Sequence, residues 1–156
     1  MTVEITPWSE DGAMAVALDA AKEAAQRGDV PVGAVALRDG RLIASAANRR
    51  EADHDPTAHA EILVLREAAE ALGRWRLDDV TLVVTLEPCT MCAGAILNAR
   101  VGRLVIGAMD EKAGAVGSRY NVLADPRLNH EVEVAVGVRA EEASGLLRDF
   151  FATRRG

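Results

Sequence analysis

Two short segments hold every residue type that hydrolytic chemistry on a soft metal needs. Pro56-Thr57-Ala58-His59-Ala60-Glu61 offers an imidazole and, two residues on, a carboxylate, and Pro88-Cys89-Thr90-Met91-Cys92 offers two thiols. Zn2+ takes thiolate and imidazole ligands in tetrahedral geometry. Three protein ligands leave its fourth position to water, which marks a catalytic rather than a structural site. Cys89 and Cys92 are the two cysteines of the chain. Their Cys-x-x-Cys spacing suits a redox dithiol equally well, because positions three apart on a helix are neighbours and a helix N-terminus lowers a thiol pKa. His59 and Glu61, about thirty residues upstream, tip the balance toward zinc, since a dithiol needs neither.

With His59, Cys89 and Cys92 assigned to the metal, Glu61 is left unliganded. Zinc held by two thiolates and a neutral imidazole carries almost no net charge, so it acidifies its water less than an all-histidine site does. A base beside it is therefore required, and Glu61 can take the proton from that water and hand it to the substrate. A glutamate in a first helical turn otherwise compensates the macrodipole. Residues two apart point to different sides of a regular helix, so the metal is expected to sit off the helix end. His-x-Glu followed by Pro-Cys-x-x-Cys resembles the signature of the zinc deaminases.

The elements that must position these groups can be read from periodicity. Ser9 caps a predicted helix over residues 9–27 with Glu10 and Asp11 in its first turn and Gly28 as its stop. Residues 30–37 and 42–47 read as two strands around Arg38-Asp39-Gly40-Arg41, where Asp-Gly signals a hairpin. A second helix, 58–72, places Ile62, Leu65, Ala69 and Leu72 on one stripe and ends at Gly73. Strand 80–86, helix 89–99 and strand 103–108 form a β-α-β unit with a right-handed crossover. Ligands in open α/β sheets gather where strands end and helices begin, and both chemical segments lie at such ends. A long loop, 109–130, precedes an alternating strand, 131–136, and a last amphipathic helix, 140–153. A loop of that length inside a domain is usually functional.

Composition bounds the setting. The 156 residues suit a single domain, and with 49% hydrophobic but only 3% aromatic residues its core must be aliphatic. No apolar run of 18 or more residues spans a membrane, and Met1-Thr2-Val3-Glu4 lacks a signal-peptide start. A cytoplasmic, reducing location is expected, which suits thiols kept for metal. The net charge of −6 runs against nucleic-acid binding unless folding gathers a local basic patch, for which Arg49, Arg50, Arg119, Arg127, Arg148, Arg154 and Arg155 are the candidates. His54 reads as a loop residue, and His130 lies in the long loop.

Beyond the metal motif, Asp29-Val30-Pro31-Val32-Gly33-Ala34-Val35, residues 55–62 and 85–95, Gly114-Ala115-Val116-Gly117-Ser118 and Leu147-Arg148-Asp149-Phe150-Phe151 resemble the bacterial tRNA-specific adenosine deaminases of the cytidine-deaminase-like superfamily. The resemblance spans nearly the whole chain and implies a three-layer α/β/α fold: a central mixed sheet of about five strands flanked by helices. It further implies a Zn2+-dependent homodimer that converts the wobble adenosine of a tRNA anticodon stem-loop to inosine, with active sites near the subunit interface. By matching position, His59, Cys89 and Cys92 would bind zinc, Glu61 would shuttle protons, and Val30 and Asn48 would line and hydrogen-bond the flipped base. Asp110 would meet the ribose, and Phe151 would help to splay the neighbouring bases. Taken alone, Asn48 reads as a turn residue, Asp110 as a loop cap and Phe150 as core. At Arg119-Tyr120-Asn121 the chain departs from the family's usual apolar residues and aspartate. The rival readings are a deaminase of a free base such as guanine or cytosine, and a non-catalytic zinc or redox module.

Overall fold

The computed structural model describes residues 7–154. Its first helix, α1 (Glu10–Gln26), starts where expected: the Ser9 hydroxyl accepts the Gly12 N–H at 2.9 Å, and Glu10 and Asp11 sit at the positive end of the helix dipole. The buried face of α1 is mostly alanine, with Met14 and Leu18 as its large members. Such a face lets the helix lie very close to the sheet. The closest approach is at Gly33, where an added Cβ would run into the Ala17 carbonyl.

The hairpin forms as the Asp-Gly signal predicts. β1 (Gly33–Arg38) pairs antiparallel with β2 (Arg41–Ala47), and Asp39 and Gly40 both take positive φ, 51° and 72°, as a tight two-residue turn demands. β1 begins at Gly33 rather than at the expected Val30. Pro31 has no N–H to give to a ladder, and the Val32 N–H closes a local bond to the Val30 carbonyl at 2.8 Å, so the chain turns before it joins the sheet.

Helix α2 (Ala60–Leu72) ends at Gly73 in the left-handed conformation, as the glycine stop predicts. Three members of its expected stripe meet the core, Leu65 buried and Ala69 and Leu72 partly so, beside the buried Ala60, Glu61, Val64 and Ala68. Ile62 departs from it, lining an open groove with Leu65, Ala69 and residues of α3. The period alone cannot say which of two adjacent apolar stripes meets the sheet. β3 (Val80–Leu86), α3 (Thr90–Asn98) and β4 (Arg103–Ala108) make the β-α-β unit, with β3 and β4 parallel.

β5 (Glu133–Val136) joins parallel to β4 as an edge strand, and α4 (Ala140–Thr153) closes the chain. The sheet order is β2-β1-β3-β4-β5, a mixed five-stranded sheet. One face, bearing Val35, Leu37, Val83 and Val105, packs with Ala13, Met14, Ala17 and Leu18 of α1 and Ala143 of α4. The other, bearing Ala34, Ala36, Leu82, Val84, Leu104 and Ile106, packs with Val64, Leu65 and Ala68 of α2 and Ile96 of α3. The layers are thus α/β/α, the cytidine-deaminase-like arrangement expected. The alternation of residues 131–136 yields less burial than it promised: Val132 is buried, but Val136 is 55% exposed, because it lies toward the free edge of the sheet.

Candidate metal centre and its cavity

His59 and Cys89 occupy equivalent places in the fold. Each is the residue immediately before a helix, with extended backbone (φ −75°, ψ 149° for His59; φ −74°, ψ 178° for Cys89), so each side chain leaves the helix end rather than its flank. Cys92 lies in the first turn of α3. Neither cap position makes a side-chain hydrogen bond to its own helix, which leaves the imidazole and the thiol for each other. The His59 Nδ1 stands 3.6 Å from the Cys89 Sγ and 3.4 Å from the Cys92 Sγ. Among the described residues these three form one group with all ligand atoms within 4.8 Å of one another, a set that could hold a metal ion. Because His59 precedes the helix and Glu61 is inside its first turn, two residues that would diverge on a regular helix converge here.

Electrostatics favour thiolate at Cys89. A hydrogen bond from the Cys92 thiol, and after it those from His59 and the Cys92 backbone N–H, hold the Cys89 thiol down to about 4 despite its partial burial. Sharing that proton pushes Cys92 up, and burial adds to the effect. A metal ion would displace the shared proton and leave both sulfurs charged. Glu61 is only 4% exposed, and burial raises its carboxyl above the ordinary glutamate value, against the pull of its own backbone N–H and of His59.

A cavity of about 200 Å3 opens above these groups, with Val30, Asn48, Arg50, Leu86, Glu87 and Asp110 on its walls and His59, Glu61 and Cys89 among its lining. Three of the four expected substrate contacts therefore reach it. The Asn48 amide is already half committed: its Nδ2 donates to the Val30 carbonyl at 3.3 Å and its Oδ1 accepts the Arg50 N–H at 3.1 Å. Since an amide offers two N–H groups and two lone pairs, one of each is left, held in a fixed plane. Asp110 caps its loop as the alternative reading had it, its Oδ1 accepting the N–H of Lys112 at 3.0 Å and of Ala113 at 3.3 Å. Phe151 is not brought to the cavity. It is 44% exposed on α4 and lines a separate recess with Leu147, Arg148 and Ala152. Phe150 beside it is buried, with the Arg154 guanidinium 4.2 Å over its ring. His54 is an exposed loop residue, and the His130 Nε2 lies 2.6 Å from the Val101 carbonyl.

The profile of the MafB19-like deaminases matches residues 8–155. The tRNA-specific adenosine deaminase of Bacillus subtilis (strain 168) is 49% identical over 142 residues, 91% of this chain and 88% of that protein. The chain belongs to the tRNA-specific adenosine deaminases. A solved tRNA:A34 deaminase, studied for A-to-I editing at the wobble position of transfer RNA, superposes on this deaminase with a TM-score of 0.84 at 48% identity, over 86% of this chain and 98% of that one. The guanine deaminase of Nitrosomonas europaea shares the architecture, with a TM-score of 0.82 over 95% of this chain and 87% of that one, but at 25% identity.

Two buried carboxylates of the deaminase escape a reading of the motifs. Asp29, 1% exposed, accepts the N–H of Glu51 at 2.6 Å and of Ala52 at 3.2 Å, which anchors the loop behind Asn48 and Arg50. Glu87, 2% exposed, reaches from the end of β3 into the loop that follows β4. Both lie inside stretches that carry the family resemblance, Asp29 beside Val30 and Glu87 two residues before Cys89, and that is the signal that could have found them. The predicted arginine patch is largely spoken for. Arg49 pairs with Asp53, Arg127 with Asp125, and Arg154 with the Phe150 ring, while Arg155 lies outside the described residues. Arg50 reaches the cavity, its nearest carboxylate, Glu51, being 3.7 Å away.

Proposed function

We propose that this chain removes the amino group of the wobble adenosine in a tRNA anticodon by hydrolysis, leaving inosine and ammonia. The observation that carries the reading is the buried Glu61 carboxylate beside the His59, Cys89 and Cys92 ligand set, at a cavity walled by Val30, Asn48 and Asp110. It is supported by the half-identity to tRNA-specific adenosine deaminases over nine-tenths of the chain.

Zinc fits the ligand set. With Zn–S of about 2.3 Å and Zn–N of about 2.0–2.1 Å, tetrahedral geometry separates a nitrogen from a sulfur ligand by about 3.6 Å, and the observed separations are 3.6 and 3.4 Å. When bound, zinc supplies the Lewis acidity that makes a water nucleophilic near neutral pH. The protein does the rest. The wobble nucleotide flips from the anticodon loop, where unstacking costs little. Val30 packs against the base, and the uncommitted N–H and lone pair of Asn48 fix its edge. Glu61 takes a proton from the attacking water and gives it to N1 as the water oxygen bonds to C6. It then carries a second proton to the amino group, and ammonia leaves as the C6–N bond breaks. Asp110 Oδ2 is the oxygen we assign to the ribose 2′-hydroxyl, a contact that favours RNA. Phe151, exposed beside Arg148, is offered to bases that stay outside the cavity.

The active unit in this reading is a homodimer working in the cytoplasm; among the described residues no helix is long and apolar enough to cross a membrane. The paired face is the apolar groove between α2 and α3, the helices whose N-termini bear the metal ligands. Ile62, Leu65, Ala69, Leu77, Ala95 and Ala99 line it, and Trp75 stands 63% exposed at its rim. Trp75→Glu should shift the mass in light scattering from two chains to one; an unchanged dimer would remove this face from consideration.

The deciding experiment is inosine formation by zinc-loaded protein on an anticodon stem-loop with adenosine at the wobble position, run beside guanine, cytosine and free adenosine. Turnover of the stem-loop alone supports the reading. Turnover of a free base alone would keep the metal mechanism and discard the tRNA.

A further inference from the structure

Glu87 is a buried carboxylate to which the deamination chemistry gives no task. It lines the same cavity as Glu61, yet each of its oxygens is already engaged. Oε1 accepts the Asp110 N–H at 2.9 Å together with the Ser118 hydroxyl, and Oε2 accepts the N–H of Val116 at 2.9 Å and of Ser118 at 3.0 Å. A carboxylate surrounded by four donors is held ionised and has no proton to deliver. All four donors come from one segment, residues 110–118, which follows β4. That segment wraps so tightly that a Cβ at Gly114 would run into the Glu87 carboxylate and the Asp110 carbonyl. Two backbone bonds flank the clasp, from the Glu87 N–H to the Ala108 carbonyl at 2.8 Å and from the Ala115 N–H to the Pro88 carbonyl at 2.9 Å. The turn that delivers Cys89 and the loop that carries Asp110 are thereby joined by the Glu87 side chain and by these two backbone bonds.

We propose that Glu87 is a positioning residue for substrate binding: by clasping residues 110–118 to the metal-bearing turn it fixes Asp110 on the cavity wall. The inference rests on the deaminase reading above. Hydrogen bonds to an ionised acceptor are roughly twice as strong as neutral ones; burial of Ala115 and Val116 and the Val116–Asn121 bridge order the far half of the segment, and the bond from the Asp110 N–H to Glu87 holds the near half. Placement, not chemistry, is therefore what Glu87 supplies, and it should be felt in binding of the nucleotide.

Glu87→Gln tests this with a near-isosteric change. Whichever way the new amide turns, its NH2 faces at least one backbone N–H that cannot reverse. The less costly orientation points the NH2 at the Asp110 N–H and the Ser118 hydroxyl, because the hydroxyl can rotate to accept. The variant therefore releases Asp110 while Val116 and the Ser118 N–H stay anchored. We expect KM for the anticodon stem-loop to rise about tenfold with kcat held within about threefold. Metal content should be unchanged, and hydrogen exchange should be faster in residues 110–118. Ser118→Ala, which removes only the hydroxyl donor, should raise KM about two- to threefold in the same sense and serves if Glu87→Gln folds poorly. The wild-type protein's own turnover tests the deaminase reading separately; if it acts on a free base, the same split is read on that base. Unchanged KM with unchanged exchange would overturn the proposal, as would a collapse of kcat at constant KM, which would place Glu87 in the proton path.

Discussion

At the residue scale, the proposed chemistry asks His59, Cys89 and Cys92 to donate lone pairs to a metal and Glu61 to keep a titratable oxygen free, and the starts of two helices bring all four together. His59 and Cys89 immediately precede their helices, and Glu61 and Cys92 lie in the first turns. Glu61→Ala should therefore retain stoichiometric metal by elemental analysis and lose turnover by about 10²- to 10⁴-fold, the range general acid–base catalysis contributes; turnover near wild type would end its role as proton carrier. Cys89→Ala should lose metal and activity together, and a variant that kept both would remove Cys89 from the ligand set. The meeting of these four residues was legible because side-chain type and the start of a helix are written in the sequence. The committed half of the Asn48 amide and the clasp at Glu87 were not, because their partners arrive from Val30, Arg50 and residues 110–118 and converge only on folding.

Elements were legible to the extent that a local signal sets each end. Ser9 and Gly73 fixed helix boundaries, and Asp39-Gly40 fixed a hairpin. Where the end depends on a neighbour the reading slipped, as at Val30, which a turn at Pro31 keeps out of β1, and at Ile62, which faces a helix instead of the sheet. The α1–β1 contact shows how strictly such neighbours constrain sequence. Gly33→Ala must drive a methyl against the Ala17 carbonyl, and overpacking of this kind costs about 1–3 kcal/mol or more; thermal unfolding should occur several degrees lower, and an unchanged midpoint would mean that α1 can slide. The other end of α1 is tied electrostatically. Arg103 donates from Nε and Nη2 to the two Glu10 oxygens at 2.6 and 2.8 Å, joining the helix start to β4. Those bonds hold the Glu10 carboxyl below its ordinary value of 4.5, against a smaller upward pull from burial. A depressed folded pKa stabilises fully above the unfolded value and ceases to do so as pH falls through the folded one. Glu10→Gln should therefore destabilise by about 0.5–1 kcal/mol at pH 7, the scale of a partly exposed pair, and the difference from wild type should shrink as pH falls below 4.5 toward the lower folded value. A difference that did not shrink as the pH fell would assign the effect to packing.

The whole molecule presents a charge problem that the fold answers locally. A chain of net charge −6 meets a polyanion, and several of its arginines pair with surface carboxylates: Arg49 with Asp53, Arg127 with Asp125, Arg139 with Asp11, and Arg38 and Arg74 with Asp79. Arg50 is the arginine that lines the cavity, with Glu51 3.7 Å away. A base that enters the cavity leaves its phosphates at the entrance, so a cation on the cavity wall can meet them while the acidic remainder of the surface repels RNA held in any other register. This could not be read from composition, because net charge sums over a surface of which the substrate touches a small part. Each phosphate contact on a single strand contributes about −0.7 to the slope of log affinity against log salt. The kcat/KM for a stem-loop should fall between 50 and 200 mM salt with a slope equal to a few such contacts, and Arg50→Ala should flatten it by about 0.7 while lowering kcat/KM most at low salt. An unchanged slope in Arg50→Ala would mean that the phosphates are held elsewhere, with Arg148 beside the exposed Phe151 ring the next residue to test.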